Sequence, residues 1–363
     1  MPMSGRERFL KIARGELTGE LFLPFNLNYS WFMDETLERW RHEGLPADAD
    51  PLEFFGLDRV AFTGGKPYTP IPAFEQVILA EDAETRVVRD EIGITKRVWK
   101  SHESSKMPHW IDFPIKSRRD WEAFKERLDP RSPARWPKDW GRLKAELASR
   151  DYPLGLGPGS FFGHTLQRWV GTENLCLLFY DDPSLVHDML DHLEWFFLEL
   201  VRGYVEHVQF DFASFGEDIA YKGHSFVSPR LFKEFFQPRY FRICEVLRGH
   251  GVDVVFVDSD GFIDELIPLW LEVGINGFSP LEVAAGEDAL ALKRRYGRNI
   301  VLAGNIDKRA LSKGEAAIDR EVAKARALLD QGGYFPAVDH SVPPDVPLEG
   351  LQYLLRALRG AGH

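Results

Sequence analysis

From residue 153 onward the chain alternates two kinds of segment. Short apolar runs at 154–157, 210–215, 252–257, 275–278, 300–303 and 334–338 are separated by stretches of helical periodicity at 184–204, 229–249, 262–273, 287–296 and 314–330. Such alternation predicts a parallel sheet with right-handed crossovers, since each helix must return the chain to the end of the sheet where the next strand begins. The recurrence suits an α/β fold of the (β/α)8 TIM-barrel type. A doubly wound sheet is the alternative. It usually opens with a glycine-rich turn before its first helix, and the chain contains no GxGxxG.

The first 150 residues read differently. Residues 4–15 place Phe9, Leu10, Ile12 and Ala13 on one helical face. Residues 21–33 are apolar and aromatic, broken by Pro24. Residues 85–115 alternate like antiparallel strands and predict a β-hairpin beside the barrel. Charged surface helices are expected at 117–128 and 137–148. The expected organisation is one domain over 1–363: amino-terminal segments, extension and hairpin over 1–150, and the clearest barrel region over 151–360.

Composition narrows the class. The chain has 363 residues, 44% hydrophobic and 28% charged, which is ordinary for a globular protein. Its net charge of −11 argues against nucleic acid as a partner. Cys176 and Cys244 form no CxxC pair, which excludes thiolate zinc modules and fits a reducing compartment. No apolar run approaches the ~18 residues of a membrane helix, and the first residues lack a signal-type core, so a cytoplasmic location is expected.

The chemistry is expected at the strand ends, because a barrel gathers them at one mouth. Residues 210–215 are followed by Glu217 and Asp218, 252–257 by Asp258 and Asp260, and 275–278 by Glu282. Residues 300–303 lead to Asn305 and Asp307, and 334–338 to Asp339 and His340. Each has a plain reading as a helix cap or a hydrogen-bonded structural residue. Together they make an acidic rosette with one imidazole, whose charges repel unless a cation sits among them. His340 with Asp258 or Asp260 and Glu217 is a donor set for Zn, Mn or Fe. Glu217, Asp260 and His340 are the candidate catalytic groups. Glu217 is expected to face the mouth while Asp218 braces a neighbour, because adjacent strand residues diverge. The proline-containing loop at 332–345 is expected to fix His340, with Asp339 holding one of its ring nitrogens. Asn28 and Tyr29, with Asp218, Lys222, Glu282, Asn305, Asp307 and Asp339, are the expected substrate-side residues.

The segment VDSDGFIDELIPLWLEVGINGFSPLEVAAGEDALALKRRYGRNIVLAGNIDKRAL, followed by GGYFPAVDHSVPPDVPLE, resembles the uroporphyrinogen decarboxylase superfamily. The stretch FGEDIAYKGHSFVSPRLFKEFFQPRY adds to the likeness, which lies closest to the branch of corrinoid-dependent methyltransferases. The resemblance implies a (β/α)8 barrel of the uroporphyrinogen decarboxylase type. In that branch, zinc at the mouth is held by a His-x-Cys pair and a later Cys. By position these fall on Asp258, Asp260 and His340, so oxygen and imidazole replace sulfur, which argues against a thiol substrate. The decarboxylase uses an arginine-containing amino-terminal loop. FLPFNLNYSWFM has no arginine, and an acidic mouth repels a polycarboxylate.

The resemblance therefore implies methyl transfer between a small methoxylated or methylated substrate and a corrinoid protein, assisted by Zn2+ or another divalent metal. The corrinoid would be carried by a separate protein, since the chain has no DxHxxG motif. A metal-assisted decarboxylase or lyase is the alternative, with Lys222, Lys308 and Arg309 as carboxylate-holding cations. A third reading is a small-molecule-binding barrel without catalysis.

Overall fold

Seven short strands pair in chain order. They are β1 (Ala61–Thr63), β2 (Leu154–Leu156), β3 (Phe212–Gly216), β4 (Val255–Asp258), β5 (Gly277–Ser279), β6 (Val301–Ile306) and β7 (Tyr334–Val338), and they form one parallel sheet. This computed structural model describes residues 3–25, 27, 32–63, 69–101 and 106–360. Ahead of β1, Asp58–Arg59 pairs in parallel with Pro24–Phe25. The strands are nearly continuous in apolar residues because both faces of the curled sheet are covered.

The outer face packs under the helices. Helix Pro183–Val205 starts where Asp182 caps the amide of Leu185 and where Pro183 needs no donor. It buries Leu185, Met189, Leu193, Phe196, Phe197 and Leu200, an i, i+3, i+4 stripe. Fully burying one such side chain contributes about 1.5–3 kcal/mol.

The inner face wraps a smaller aromatic cluster that includes Phe9, Phe22, Phe212, Phe256 and Phe335. Glycines make room for these rings. A Cβ on Gly155 would lie 2.5 Å from the Phe212 ring, and one on Gly277 would lie 2.5 Å from the Phe256 ring. Helix Gly5–Ala13 begins with a capping box between Ser4 and Glu7. It sets Phe9 4.9 Å from Phe335 and 5.1 Å from Phe212, ring centre to ring centre. Phe212 opens β3 and Phe335 lies near the start of β7, so this helix fills the end where the strands begin. The carboxyl ends of the strands stay clear of this packing.

Two expectations change. The 85–115 hairpin is a four-stranded antiparallel sheet, Val77–Glu81, Thr85–Arg89, Thr95–Trp99 and His109–Asp112, because Val77–Glu81 also pairs with Thr85–Arg89. The helix expected over 229–249 contains a π-helical turn, Phe232–Phe236, before Gln237–Gly249. Pro238 has no N–H to give to the preceding turn, which favours the wider winding there. No helix among the described residues is long and apolar enough to cross a membrane.

Candidate functional site

Three strand ends bring Asp260, Glu282 and His340 together, with one ligand atom from each all within 4.8 Å of one another. His340 follows β7, and its Nε2 lies 3.1 Å from Oδ2 of Asp260, beyond β4. Glu282, beyond β5, accepts from the amide of Gly261 at 3.1 Å and lies 3.5 Å from Nζ of Lys308. Asp260 holds the His340 imidazolium, raising its pKa above the usual histidine value despite burial.

Two further carboxyls stand beside this group. Burial raises Asp218 to about 6, and the nearby Asp260 charge adds to the shift. Asp258 is held well above the carboxylate range by burial and then by the charges of Asp218 and Asp260, although Ser279 donates to it at 3.2 Å. Like charges crowded together disfavour ionisation, so the cluster favours protons or a cation.

The expected division between Glu217 and Asp218 is reversed. Glu217 is fully buried, and its carboxylate accepts from the amides of Phe161 and Phe162 at 2.8 Å and from the Ser160 hydroxyl at 3.2 Å. Burial raises it to about 7. It holds the segment before the π-helical turn Phe162–Leu166 and does not join the Asp260–Glu282–His340 group. Asp218 takes a left-handed φ of 41° at the end of β3, accepts from the Asp260 amide at 3.3 Å and lines a cavity of about 620 Å³.

Several other expected residues make hydrogen bonds within the protein. Asp339 does not hold the His340 ring; its two oxygens accept from the amides of Lys308 and Val283, both at 3.0 Å. Asn305 is buried and ties Ala289, Leu281 and Glu287. Asp307 caps the amide of Arg309 and pairs with its guanidinium. Lys222 is exposed in the turn between Ala220–Tyr221 and His224–Ser225. Thus Lys222, Lys308 and Arg309 are respectively exposed, paired with Glu282 and paired with Asp307. Asn28 and Tyr29 lie outside the described residues.

The cavity is bounded by Asp218 and Asp260, by Gln167 and Arg168, and by the antiparallel sheet through Lys96 and Trp110. Two basic residues here escaped the reading of strand ends. His164 sits in the π-helical turn, with Nε2 3.9 Å from Oδ2 of Asp218. Burial, aided by the Arg168 charge, lowers it to about 4, so it is neutral at neutral pH. Arg168 follows one helical turn later.

Residues 164–361 match the sequence profile described as uroporphyrinogen decarboxylase (URO-D). The chain belongs to the uroporphyrinogen decarboxylase family. It is 26% identical over 185 residues to the uroporphyrinogen decarboxylase of Helicobacter acinonychis (strain Sheeba), covering 49% of this chain and 50% of that one. It is 28% identical over 121 residues to the Maricaulis maris (strain MCS10) enzyme, covering 32% and 34%. The chain thus spans about half, or less, of the length of the relatives it matches. In fold it is similar over 99% of both chains to a methyltransferase from Methanosarcina mazei, with a TM-score of 0.62 at 16% identity. At that identity the likeness concerns the fold.

Proposed function

We propose that this family member is a metal-assisted enzyme moving a methyl group between a small methoxylated or methylated substrate and a corrinoid carried by a separate protein. The observation that carries the reading is the convergence of Asp260, Glu282 and His340 beside a cavity of about 620 Å³. We further propose that Pro24–Phe25 completes the seven strands as the eighth of a closed (β/α)8 barrel, and that 1–363 is one domain.

One imidazole and two carboxylates fit zinc, manganese or iron. A divalent ion held there supplies Lewis acidity toward the heteroatom bearing the methyl group. Asp260 and Glu282 hold and neutralise it, and His340 completes the donor set. Lys308 balances Glu282 while no ion is bound. Asp218, raised to about 6, can hold a proton at the cavity wall near neutrality. Glu217 acts at a distance, by fixing the segment that carries His164.

Calorimetric titration of Zn2+ into the metal-free protein tests the site. One ion per chain is expected, with affinity falling by at least about 10-fold in Asp260→Asn and in His340→Ala. Absence of stoichiometric Zn2+, Mn2+ and Fe2+ binding overturns the metal reading. For the reaction, the metal-loaded protein is mixed with cob(I)alamin and methoxylated probes, and methylcobalamin is followed by absorbance. No methyl transfer from any probe overturns the methyltransferase reading.

A further inference from the structure

Among the described residues that line the cavity, Arg168 is a basic group without an ion-pair partner. By contrast, Lys96 pairs with Asp90 at 3.0 Å, Lys308 with Glu282 and Arg309 with Asp307. Arg168 is half-buried on the helical turn Gln167–Val170 and lines the cavity. Its charge reaches inward, opposing protonation of His164 and favouring ionisation of Asp218. A guanidinium in such a place presents a rigid fork that matches a carboxylate.

One part of the wall around it is aromatic and held in place. Trp110, Phe113 and Phe226 line the same cavity. The amide of Ile115 donates to the carbonyl of Trp169 at 3.0 Å, tying the chain after the antiparallel sheet to the Arg168 helix. Phe113 lies so close over Gly171 that a Cβ there would stand 2.5 Å from its ring. The cation and the aromatic wall thus keep a set spacing, which suits a flat, apolar ligand body. Asp90, Glu91, Asp218 and Asp260 also line the cavity and disfavour a second anionic group.

We propose that Arg168 anchors a single carboxylate of the substrate, so that the substrate class is a small flat monocarboxylic acid. Gln167 offers an amide beside the same carboxylate. Placing the methyl-bearing group at the Asp260 side rests on the methyltransferase reading; the carboxylate anchor does not.

The test is calorimetric titration of 4-methoxybenzoate, 4-methoxybenzamide and 4-methoxyphenyl phosphate into the full chain, Arg168→Met and Arg168→Lys. The unmodified chain should bind the acid at least about 10-fold more tightly than the amide. Arg168→Met should lose about 10-fold or more in acid affinity while amide affinity stays within about 2-fold, and Arg168→Lys should recover part of the loss. The melting temperature of Arg168→Met without ligand should not fall. Equal affinity for acid and amide, no binding of the acid, unchanged acid binding in Arg168→Met, or tighter binding of the phosphate ester would each overturn the proposal. The acid-to-amide contrast in the unmodified chain decides it even if Arg168→Met does not fold. Metal binding with no preference for the acid removes the anchor alone. Arg168-dependent acid binding without methyl transfer removes the methyltransferase reading alone.

Discussion

His340 Nε2 and Asp260 Oδ2 meet at 3.1 Å across the ends of two strands that are not neighbours in the sheet. The pair has a pH signature. The hydrogen bond to Asp260 raises His340 above its usual value of 6.5. A group with a raised folded pKa adds stability below its unfolded pKa and loses that stability as pH rises through the folded one. In metal-free protein the pair therefore stabilises below about pH 6.5 and fades above it. The melting-temperature gap between the unmodified chain and His340→Gln should narrow from about pH 5 to about pH 8. A gap that stays constant or widens would show that the pair does not titrate this way. Zn2+ affinity should run in the opposite direction and rise with pH, because only neutral imidazole is a ligand.

Glu217 and Asp218 should separate stability from binding. In Glu217→Gln an amide nitrogen must face one of the donors at Phe161, Phe162 or Ser160, so the variant should lose about 1–3 kcal/mol near pH 5. Burial raises Glu217 from 4.5 to about 7, so the unmodified chain itself loses stability as pH rises through that window. Chemical denaturation should therefore show the deficit of Glu217→Gln shrinking by about pH 8. Asp218→Asn should keep near-normal stability and change ligand affinity. Unfolding midpoints ordered the other way would return Glu217 to the mouth.

Gly277 is a place where one methyl group should be costly inside the sheet. Its Cβ would enter the Phe256 ring, and the surrounding rings leave little room to yield. Gly277→Ala should lose about 1–3 kcal/mol in urea unfolding. A loss below about 0.5 kcal/mol would mean that Phe256 has another place to go.

Asp339→Asn should weaken metal binding without touching a ligand. Asp339 joins the amides of Val283 and Lys308, which flank Glu282 and its cationic partner. Loosening that joint should lower Zn2+ affinity by about 10-fold or more, as other outer-layer supports do. Unchanged affinity in a folded variant would confine Asp339 to shaping the loop.

The sheet was legible because strand and helix periods differ and alternate regularly, and Tyr334–Val338 falls where its apolar run predicts. Of the expected ligands, Asp260 and His340 lie together at the strand ends, and Glu282, expected on the substrate side, stands with them where Glu217 and Asp258 were expected. The direction of neighbouring side chains was not legible. Glu217 follows β3, yet its carboxylate is drawn inward by the amides of Phe161 and Phe162, a contact far apart in sequence. Alternation cannot say which of Glu217 and Asp218 turns in, because Asp218 leaves the strand with a left-handed φ. His164 and Arg168 are carried past β2 by a π-helical turn, which shifts side chains off the usual helical period. The sequence signal available for them was a pair of basic residues in the otherwise apolar stretch after β2.

The antiparallel sheet at 77–112 enters the chain between β1 and β2, whereas the proposed metal ligands follow β4, β5 and β7. One wall of the cavity and the groups that would act on a guest are therefore encoded in separate stretches. Grafting a different insert between Thr63 and Leu154 would change one wall of the cavity while the carboxylates and the imidazole at the strand ends keep their own supports, so the shape of the entrance and the reactive end are open to separate redesign.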